Sequence, residues 1–270
     1  MNTLLLRRAL EWCLMLGTPI ALHEEDPYLC AGGAMNESAQ ASKLGFQGMP
    51  RCAEDLMIAR DIELARVTKG RIHFCHVSTA RSVELIRRAK NDGVPITAEA
   101  TPHHLFLTER EIFEHDTNAK MNPPLRSDED LEALHLGVKD GTIDCIASDH
   151  APHELDKKRI EFPLAAFGII GLQSTLPLVL ELVRQGILNR MRAVEALTCG
   201  ASKIYGLGLG KLAKGSAADI TIVDPEFEWE FTKDLNCSLS VNSPFFGRTF
   251  KGKAESVIIG GNFVMRNGAL

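Results

Sequence analysis

The chain has 270 residues, of which 45% are hydrophobic and 24% are charged, and its formal net charge at pH 7 is −5. Such a chain buries one large core or two modest ones, as an ordinary globular protein does. Its acidic balance, without runs of lysine or arginine, argues against a nucleic-acid partner, and no stretch approaches the roughly 20 apolar residues of a membrane span. The seven cysteines are widely spaced and form no CxxC pair, which indicates reduced thiols in a cytoplasm.

The first segment of the chain is predicted to be an amphipathic helix rather than a signal peptide. Arg7 and Arg8 interrupt the apolar run, and no small-residue cleavage pattern follows it. Apolar residues recur at helical spacing from Leu6 to Leu14. We therefore expect a helix that begins almost at the first residue, with nothing ahead of it.

Strand and helix patterns alternate from residue 18 to residue 148. Strands are predicted at 18–23, 71–76, 94–100 and 142–148, and helices at 51–66, 80–90 and 128–138. Such alternation is typical of parallel strands with crossover helices, and short strands that are apolar on both faces suit a barrel or a doubly wound sheet. Polar loops follow the strands, and in a parallel barrel these loops share the rim where active sites lie.

The pattern changes in the last third of the chain. Two more helices are predicted over 171–186 and 191–206, and alternating strands follow at 210–225 and 254–266. We therefore divide the chain into a partial barrel at 1–205 and a C-terminal β-rich element at 206–270. A complete (β/α)₈ barrel has eight strands and about 250 residues, so the four predicted strands account for half a barrel.

Three predicted strands end in residues of the kind that bind metal ions, namely His23, His76 and Asp149. Imidazole nitrogen and carboxylate oxygen suit zinc, and a catalytic zinc site keeps one position open for water. The alternative for His23 is a surface histidine paired with its acidic neighbours, and the alternative for His76 is a strand-end histidine bonded to Ser78. Asp149 is harder to explain without a cation, because a carboxylate after an apolar strand is costly to desolvate.

Two rigid turns bring further polar groups to the same rim. In KMNPPLR (120–126) the prolines restrict Asn122 to an extended conformation, which presents its amide to whatever lies over the rim. The alternative is a plain turn. In DHAPH, Pro152 stiffens the chain and helps to fix the approach of His153.

The remaining histidines of these segments lie beside or opposite the predicted ligands. His103 and His104 in PHHL either donate hydrogen bonds that orient metal ligands or lie partly exposed in a loop. We expect partial exposure for at least one of them. By strand alternation His73 and Cys75 point away from the face of His76, so we expect them to pack against other residues.

The segments HFCHVSTARSVELIRRAK, ITAEATPHHLFLTE, KMNPPLR, GTIDCIASDHAPH and GKLAKGSAADITIVDP, in this order, resemble the dihydroorotases of the amidohydrolase superfamily. The resemblance runs through nearly the whole chain. KMNPPLR together with DHAPH favours dihydroorotase over the related dihydropyrimidinases and allantoinases. The resemblance implies an α/β fold, namely the C-terminal half of a (β/α)₈ metal-dependent hydrolase barrel with part of a small β-sandwich.

The resemblance also implies a zinc-dependent cyclic amide hydrolase that interconverts dihydroorotate and N-carbamoyl-L-aspartate in pyrimidine biosynthesis. In that family zinc activates the attacking water, and the position that matches Asp149 is a zinc ligand that passes the proton of the water to the departing nitrogen. The positions that match His23 and His76 bind the second of two zinc ions. The positions that contact the dihydroorotate correspond to Asn122, His153, Phe167 and Gly168.

Two features of the family have no counterpart in the chain. The H-x-H pair of the first barrel strand and the bridging carboxylate, a carboxylated lysine or an aspartate, are absent from the sequence. The chain therefore resembles the back half of a dihydroorotase. We expect the 270 residues alone to be neither stable nor active, because half a barrel exposes two strand edges and an apolar inner face that invite aggregation or pairing with a second copy.

Three interpretations remain open. The chain is an enzyme whose sequence lacks its start, a non-enzymatic relative that serves as a scaffold beside aspartate transcarbamoylase, or one half of a split enzyme. We favour the first, because a scaffold has no need of costly metal ligands such as His23, His76 and Asp149.

Overall fold

The computed structural model describes residues 2–113 and 115–269. Its helices are α1 (Thr3–Leu16), α2 (Ala39–Leu44), α3 (Cys52–Thr68), α4 (Ala80–Asn91), α5 (Pro102–Phe106), α6 (Asp128–Asp140), α7 (Leu155–Lys158), α8 (Leu172–Arg184), α9 (Arg190–Leu197) and α10 (Cys199–Tyr205). Its strands are β1 (Ile20–Leu22), β2 (Met35–Asn36), β3 (Gly48–Met49), β4 (Ile72–Phe74), β5 (Ile96–Ala100), β6 (Cys145–Ile146), β7 (Ile220–Glu230), β8 (Thr249–Ile259) and β9 (Asn262–Met265).

The N-terminal helix is confirmed. The Asn2 side chain accepts a hydrogen bond from the amide of Leu4, and Gly17 ends the helix in the left-handed conformation with φ 68°. Leu6 and Leu10 are fully buried, whereas Leu14 is exposed. The apolar stripe that packs against the core is therefore narrower than the sequence pattern predicts.

Four short parallel strands form one sheet in the order β1-β4-β5-β6. Helices α3, α4 and α6 connect or flank these strands and pack against one another in sequence, α3 on α4 and α4 on α6. The α/β fold and the partial barrel are confirmed, although each strand is shorter than predicted. Among the described residues, the outer edges of β1 and β6 pair with no further strand.

The two faces of this sheet differ in polarity. In β5 the side chains of Ile96, Ala98 and Ala100 are buried against the helices, whereas Thr97 and Glu99 alternate onto the opposite face. His73 of β4 joins them there. The expectations that the strands are apolar on both faces and that the inner face is apolar are therefore wrong.

Three segments fold differently from the sequence prediction. The region after β1, expected to be a loop, contains the parallel pair β2–β3 and helix α2. The PHHL segment forms helix α5, in which Thr101 caps the N-terminus and Pro102 occupies the first turn. The predicted helix at 191–206 is divided into α9 and α10 at Thr198, which has non-helical φ and ψ angles of −135° and −94°.

The C-terminal part forms an antiparallel sheet in the order β7-β8-β9. Gly260 and Gly261, both with positive φ, make the two-residue turn between β8 and β9. The aromatic residues Phe231 and Phe250 pack into a cluster that also contains Leu178 of α8. Because this cluster joins both sides of residue 205, the proposed division into domains at that residue stays a prediction.

Between residues 2 and 269, position 114 aside, the structure contains no helix that is both long enough and apolar enough to cross a membrane.

Candidate active site at the strand ends

His23, His76 and Asp149, together called the rim set, follow the ends of β1, β4 and β6 at one edge of the sheet. The structure brings the two histidines together, with 3.0 Å between His23 Nδ1 and His76 Nε2. Two imidazole nitrogens on one tetrahedral zinc ion lie about 3.3 Å apart, given Zn–N bonds of about 2.05 Å. The two nitrogens are hydrogen-bonded to each other in this structure, and their separation is also close to the one that a shared zinc ion requires.

The backbone of the rim set is strained. His76 and Asp149 have φ angles of 34° and 44°, in the left-handed region that residues other than glycine seldom adopt. Such conformations cost about 1–3 kcal/mol each and concentrate at functional sites. The strain after β4 and after β6 indicates that the surrounding fold holds these two side chains in place against a local backbone preference.

Several buried polar atoms at this edge have no hydrogen-bond partner among the described residues. They include His76 Nδ1, Asp149 Oδ2 and Asn122 Oδ1, and also Glu24 Oε1 and His103 Nε2. Buried polar groups are nearly always hydrogen-bonded in native proteins. Unpartnered donors and acceptors that share one edge of a sheet indicate a place where a ligand binds.

Charges within the rim set influence one another. Burial raises the pKa of the Asp149 carboxyl, and the nearby imidazoles of His76 and His23 oppose that increase. Burial also lowers the pKa of His76, and His23 lowers it further. A neutral His76 imidazole keeps a lone pair for a metal ion, which a protonated ring lacks.

A different set of ligand atoms lies closer together. Among the described residues, the potential metal ligands within 4.8 Å of one another belong to His73, Glu99 and Cys145. His73, Thr97 and Glu99, together called the inner set, are already bonded, with 2.9 Å from His73 Nδ1 to Thr97 Oγ1 and 3.0 Å from His73 Nε2 to Glu99 Oε2. Both ring nitrogens of His73 are thus occupied by protein groups, so His73 bonds to its neighbours as well as packing against them.

Glu25 connects His23 with Asn122. The amide nitrogen of Asn122 donates to Glu25 Oε2 at 2.6 Å, and His23 Nε2 lies 3.5 Å from the same oxygen. The His23 side chain is 43% exposed. Its Nε2 is paired with an acidic neighbour, as the alternative interpretation predicts, whereas its Nδ1 faces His76. Glu25 was not predicted as a site residue, although it is one of the acidic residues that follow His23 in the sequence.

The structure also brings His153, Phe167 and Gly168 together. His153 Nε2 donates to the carbonyl of Phe167 at 2.7 Å. At Gly168, φ is 153°, and a Cβ atom would lie 2.7 Å from the carbonyl oxygen of Ala151, which excludes any larger residue without a shift of the backbone. The fixed geometry of this turn depends on glycine.

Asn242, which the sequence did not indicate, ties this turn to the DHAPH segment. Its amide nitrogen donates to the carbonyls of Gly168 at 3.0 Å and Ala151 at 2.8 Å, and its side-chain oxygen accepts from the amide of His153 at 3.2 Å. Asn242 lies in a loop far along the chain, where no motif marked it.

His103 and His104 are both buried, so the expected exposure of at least one of them is wrong. His104 Nε2 donates to the carbonyl of Pro123 at 2.9 Å, and its Nδ1 lies 2.8 Å from Thr101 Oγ1. His104 therefore positions the turn that carries Asn122. Helix α5 explains the burial, because its five residues place both rings against the core.

Arg126 fixes the other end of the same turn. This buried guanidinium donates to Ser78 Oγ at 3.1 Å, to Asn36 Oδ1 at 2.9 Å and to the carbonyl of Met49 at 3.1 Å. The Ser78 hydroxyl also donates to Glu54. These bonds, and not a bond to His76, satisfy Ser78 in the described part of the chain.

A family model described as the amidohydrolase family matches residues 5–264. The chain belongs to the amidohydrolase family. Its curated relatives include the dihydroorotase of Pelobacter propionicus, 48% identical over 98% of this chain and 62% of the relative, and that of Endomicrobium trichonymphae, 49% identical over 97% and 63%. The chain thus spans somewhat more than three fifths of the length of these amidohydrolases.

Solved structures of the same fold include the L-hydantoinase (dihydropyrimidinase) from Arthrobacter aurescens. It is 27% identical, with a TM-score of 0.90 over 99% of this chain and 61% of the L-hydantoinase. A D-hydantoinase structure is 26% identical, with a TM-score of 0.88 over 100% of this chain and 62% of the D-hydantoinase. The half barrel and the antiparallel sheet together therefore match part of a longer amidohydrolase fold.

Proposed function

We propose that this chain is the C-terminal part of a zinc-dependent dihydroorotase, which interconverts (S)-dihydroorotate and N-carbamoyl-L-aspartate in pyrimidine biosynthesis. The observation that carries the proposal is the close pair of His23 and His76, beside Asp149, at the ends of parallel strands. The identity of 46–49% to curated dihydroorotases supports the choice of substrate.

The rim set provides the residues that would hold zinc. The spacing of His23 Nδ1 and His76 Nε2 and the unpartnered Oδ2 of Asp149 support this assignment. When bound, zinc supplies Lewis-acid activation of water and of the ring carbonyl. Because two histidines without a bridging carboxylate offer few ligands, we expect this chain alone to hold zinc weakly.

Asp149 is the proposed acid–base group. Its carboxylate takes a proton from the water that forms the new C–O bond and delivers it to the ring nitrogen as the C–N bond breaks. Burial, which raises the pKa of this carboxyl, makes it a better proton acceptor than an exposed aspartate. In the reverse direction the same group removes the proton from the carbamoyl nitrogen.

The substrate-binding residues are proposed to be Asn122, His153, Phe167 and Gly168. Asn122 has a buried and unpartnered Oδ1 that can accept a hydrogen bond from an amide N–H of the substrate. His153 and Asn242 hold the Phe167–Gly168 turn in a single conformation. A preformed turn lowers the entropy that a cyclic ligand loses on binding.

A second candidate is a hydantoinase or dihydropyrimidinase, which the structural similarity favours. These neighbours are 26–27% identical to the chain, well below the identity to the dihydroorotases. Both classes open a cyclic amide, so the decisive difference is the substrate. A third candidate is a non-catalytic scaffold that binds aspartate transcarbamoylase, and a homo-oligomer in the cytoplasm is compatible with any of the three.

The first test is the DNA sequence directly upstream of the Met1 codon. We expect an open frame that encodes an H-x-H pair and a bridging lysine or aspartate. An in-frame stop codon directly upstream would move the search to a partner chain or to a non-catalytic role. The protein encoded by the full frame is called the complete protein below.

The second test compares substrates. The complete protein, purified with zinc, is assayed for hydrolysis of dihydroorotate, dihydrouracil and hydantoin, with the Asp149→Asn variant as the control. We expect turnover of dihydroorotate that the variant lacks. A preference for hydantoin or dihydrouracil would support the second candidate, and equal inactivity of both proteins on all three compounds would support the scaffold.

A further inference from the structure

Two buried lysines, Lys120 and Lys158, lie beside the proposed substrate site and have no assigned role. They are 1% and 4% exposed, and among the described residues neither forms an ion pair with a carboxylate. Lysine is almost never fully buried without a partner. The partners of both ammonium groups are backbone carbonyls.

Each ammonium group is surrounded by three carbonyl oxygens. Lys120 Nζ donates to the carbonyls of Phe162 at 2.8 Å, Pro163 at 2.9 Å and Ala165 at 2.7 Å. An ammonium group has three donors and no acceptor, so these bonds use all of its capacity. Hydrogen bonds from a charged donor are shorter and stronger than neutral ones.

Lys158 Nζ completes a reciprocal arrangement. It donates to the carbonyls of Thr117 at 2.8 Å, Lys120 at 3.3 Å and Ala166 at 2.8 Å. Lys120, the first residue of the KMNPPLR turn, thus binds the segment 162–165. Lys158, which precedes that segment, binds the carbonyls of Thr117 and Lys120 at the start of the turn. Two charged side chains cross-link the same two loops in opposite directions.

Both cross-linked segments lie next to proposed substrate-binding residues. The carbonyl of Lys120 accepts from the amide of Gly168 at 2.9 Å, and the Lys120 ammonium lies 4.3 Å from the centre of the Phe167 ring. Asn122 follows two residues after Lys120 along the chain. The two segments that the lysines cross-link therefore lead directly to Asn122 and to the Phe167–Gly168 turn.

We propose that Lys120 and Lys158, together called the lysine clamp, are positioning residues that hold Asn122 and Phe167–Gly168 at the separation required by the cyclic amide. The proposal rests on the proposed function, and neither lysine touches the substrate in it. Burial lowers the pKa of both ammonium groups to about 8, so two charges are retained there at a cost in desolvation. Apolar side chains would fill the space between the two loops at a smaller cost in desolvation.

The test uses Lys120→Met and Lys158→Met in the complete protein, with Lys157→Met as the matched control. Lys157 adjoins Lys158, but its side chain is 64% exposed. We expect both clamp variants to raise KM for dihydroorotate by about tenfold or more while kcat changes by less than about threefold, with unchanged zinc content. Hydrogen exchange at the Gly168 amide should accelerate in the clamp variants and not in the control.

The outcomes separate the possible roles. Faster exchange at Gly168 with an unchanged KM would show that the lysines only stabilise the loops, and would overturn the proposal. A fall in kcat with unchanged KM would overturn it as well. If the wild-type protein opens hydantoin or dihydrouracil instead of dihydroorotate, the proposed function is wrong. The lysine clamp is then tested separately, by comparing KM of the variants and the wild type for that substrate.

A measurement on the wild-type protein covers the case in which the methionine variants do not fold. Hydrogen exchange at Gly168 is compared with and without a saturating cyclic amide that is not hydrolysed. A preformed clamp predicts strong protection in the free protein and little change on binding. Protection that arises only with the ligand would show that the ligand, and not the lysines, orders the turn.

Discussion

The rim set and the inner set belong to the same parallel sheet, yet the hydrogen bonding of His73 is complete and that of His76 is not. In the inner set both nitrogens of His73 are bonded to neighbouring side chains. In the rim set His76 and Asp149 retain unpartnered buried atoms and left-handed backbone angles. A histidine or carboxylate is thus a candidate ligand when its bonding is incomplete and its backbone is strained, and closeness of ligand atoms alone does not identify it.

Replacement of Asp149 by asparagine should give the largest effect. We expect the complete protein to lose at least about 100-fold in kcat, because the amide cannot take up the proton of the attacking water. The free energy of unfolding should stay the same or increase, since burial disfavours the charged carboxylate and raises its pKa. Steady-state kinetics and urea unfolding measure the two quantities.

The control for this variant is Asp144→Asn, just before β6. It removes a carboxylate that accepts hydrogen bonds from the Lys90 ammonium and from the backbone amide of Ala98. It should leave kcat nearly unchanged and lower stability. An equal loss of activity in both variants would mean that any carboxylate near β6 is required, which would contradict the specific role of Asp149.

The second prediction compares the loss of a histidine from the rim set with the loss of a histidine from the inner set. His76→Ala should release zinc and leave stability nearly unchanged, whereas His73→Leu should retain zinc and destabilise the protein by about 1–3 kcal/mol, because Glu99 and Thr97 lose a buried partner. Metal analysis and urea unfolding of both variants provide the comparison. Zinc loss in His73→Leu with none in His76→Ala would place the metal in the inner set.

The positions of the rim set were predictable because a regular pattern determines them. Polar residues that directly follow apolar strands of an alternating β/α chain must lie at one edge of a parallel sheet, and the structure places His23 and His76 in contact there. Their roles in catalysis and metal binding remain proposals. The burial of His103 was also within reach, since Thr101-Pro102 is a typical start of a helix.

Other parts of the site leave no local trace in the sequence. Asn242 reaches Gly168 across 74 positions of the chain, so only the tertiary fold brings them together. The strands β2 and β3 have two residues each, too few for a periodic pattern. Lys120 reads as an exposed loop lysine, because nothing in its neighbours indicates that three carbonyls surround it.

A third prediction concerns His104, whose two ring nitrogens both have hydrogen-bond partners, like those of His73. Burial lowers its pKa to about 3, whereas an unfolded histidine titrates near 6.5. Between these values the unfolded chain binds a proton that the folded chain does not, so stability falls as the pH decreases, by about 1.4 kcal/mol per pH unit for this residue. His104→Gln should reduce that slope below pH 6, measured by urea unfolding at several pH values.

The control for His104 is the replacement of His115, an exposed residue, by glutamine. A slope that is the same in His104→Gln as in the wild type would mean that His104 is protonated in the folded protein. In that case its bond to the Pro123 carbonyl would be compatible with a charged ring, and the neutral state inferred from burial would be wrong.

The smallest expected effect concerns the hydroxyl of Thr97. Thr97→Val keeps the shape of the side chain and removes one hydrogen bond to His73 Nδ1, so we expect a loss of about 1 kcal/mol in the free energy of unfolding. Zinc content and kcat should not change, because the proposed zinc ligands and acid–base group lie in the rim set. The double variant Thr97→Val with His73→Leu should lose less than the sum of the two single losses, since the first change removes a group that the second would leave unpaired. Additive losses would show that Thr97 and His73 act independently, and would weaken the view that the inner set is a bonded unit distinct from the rim set.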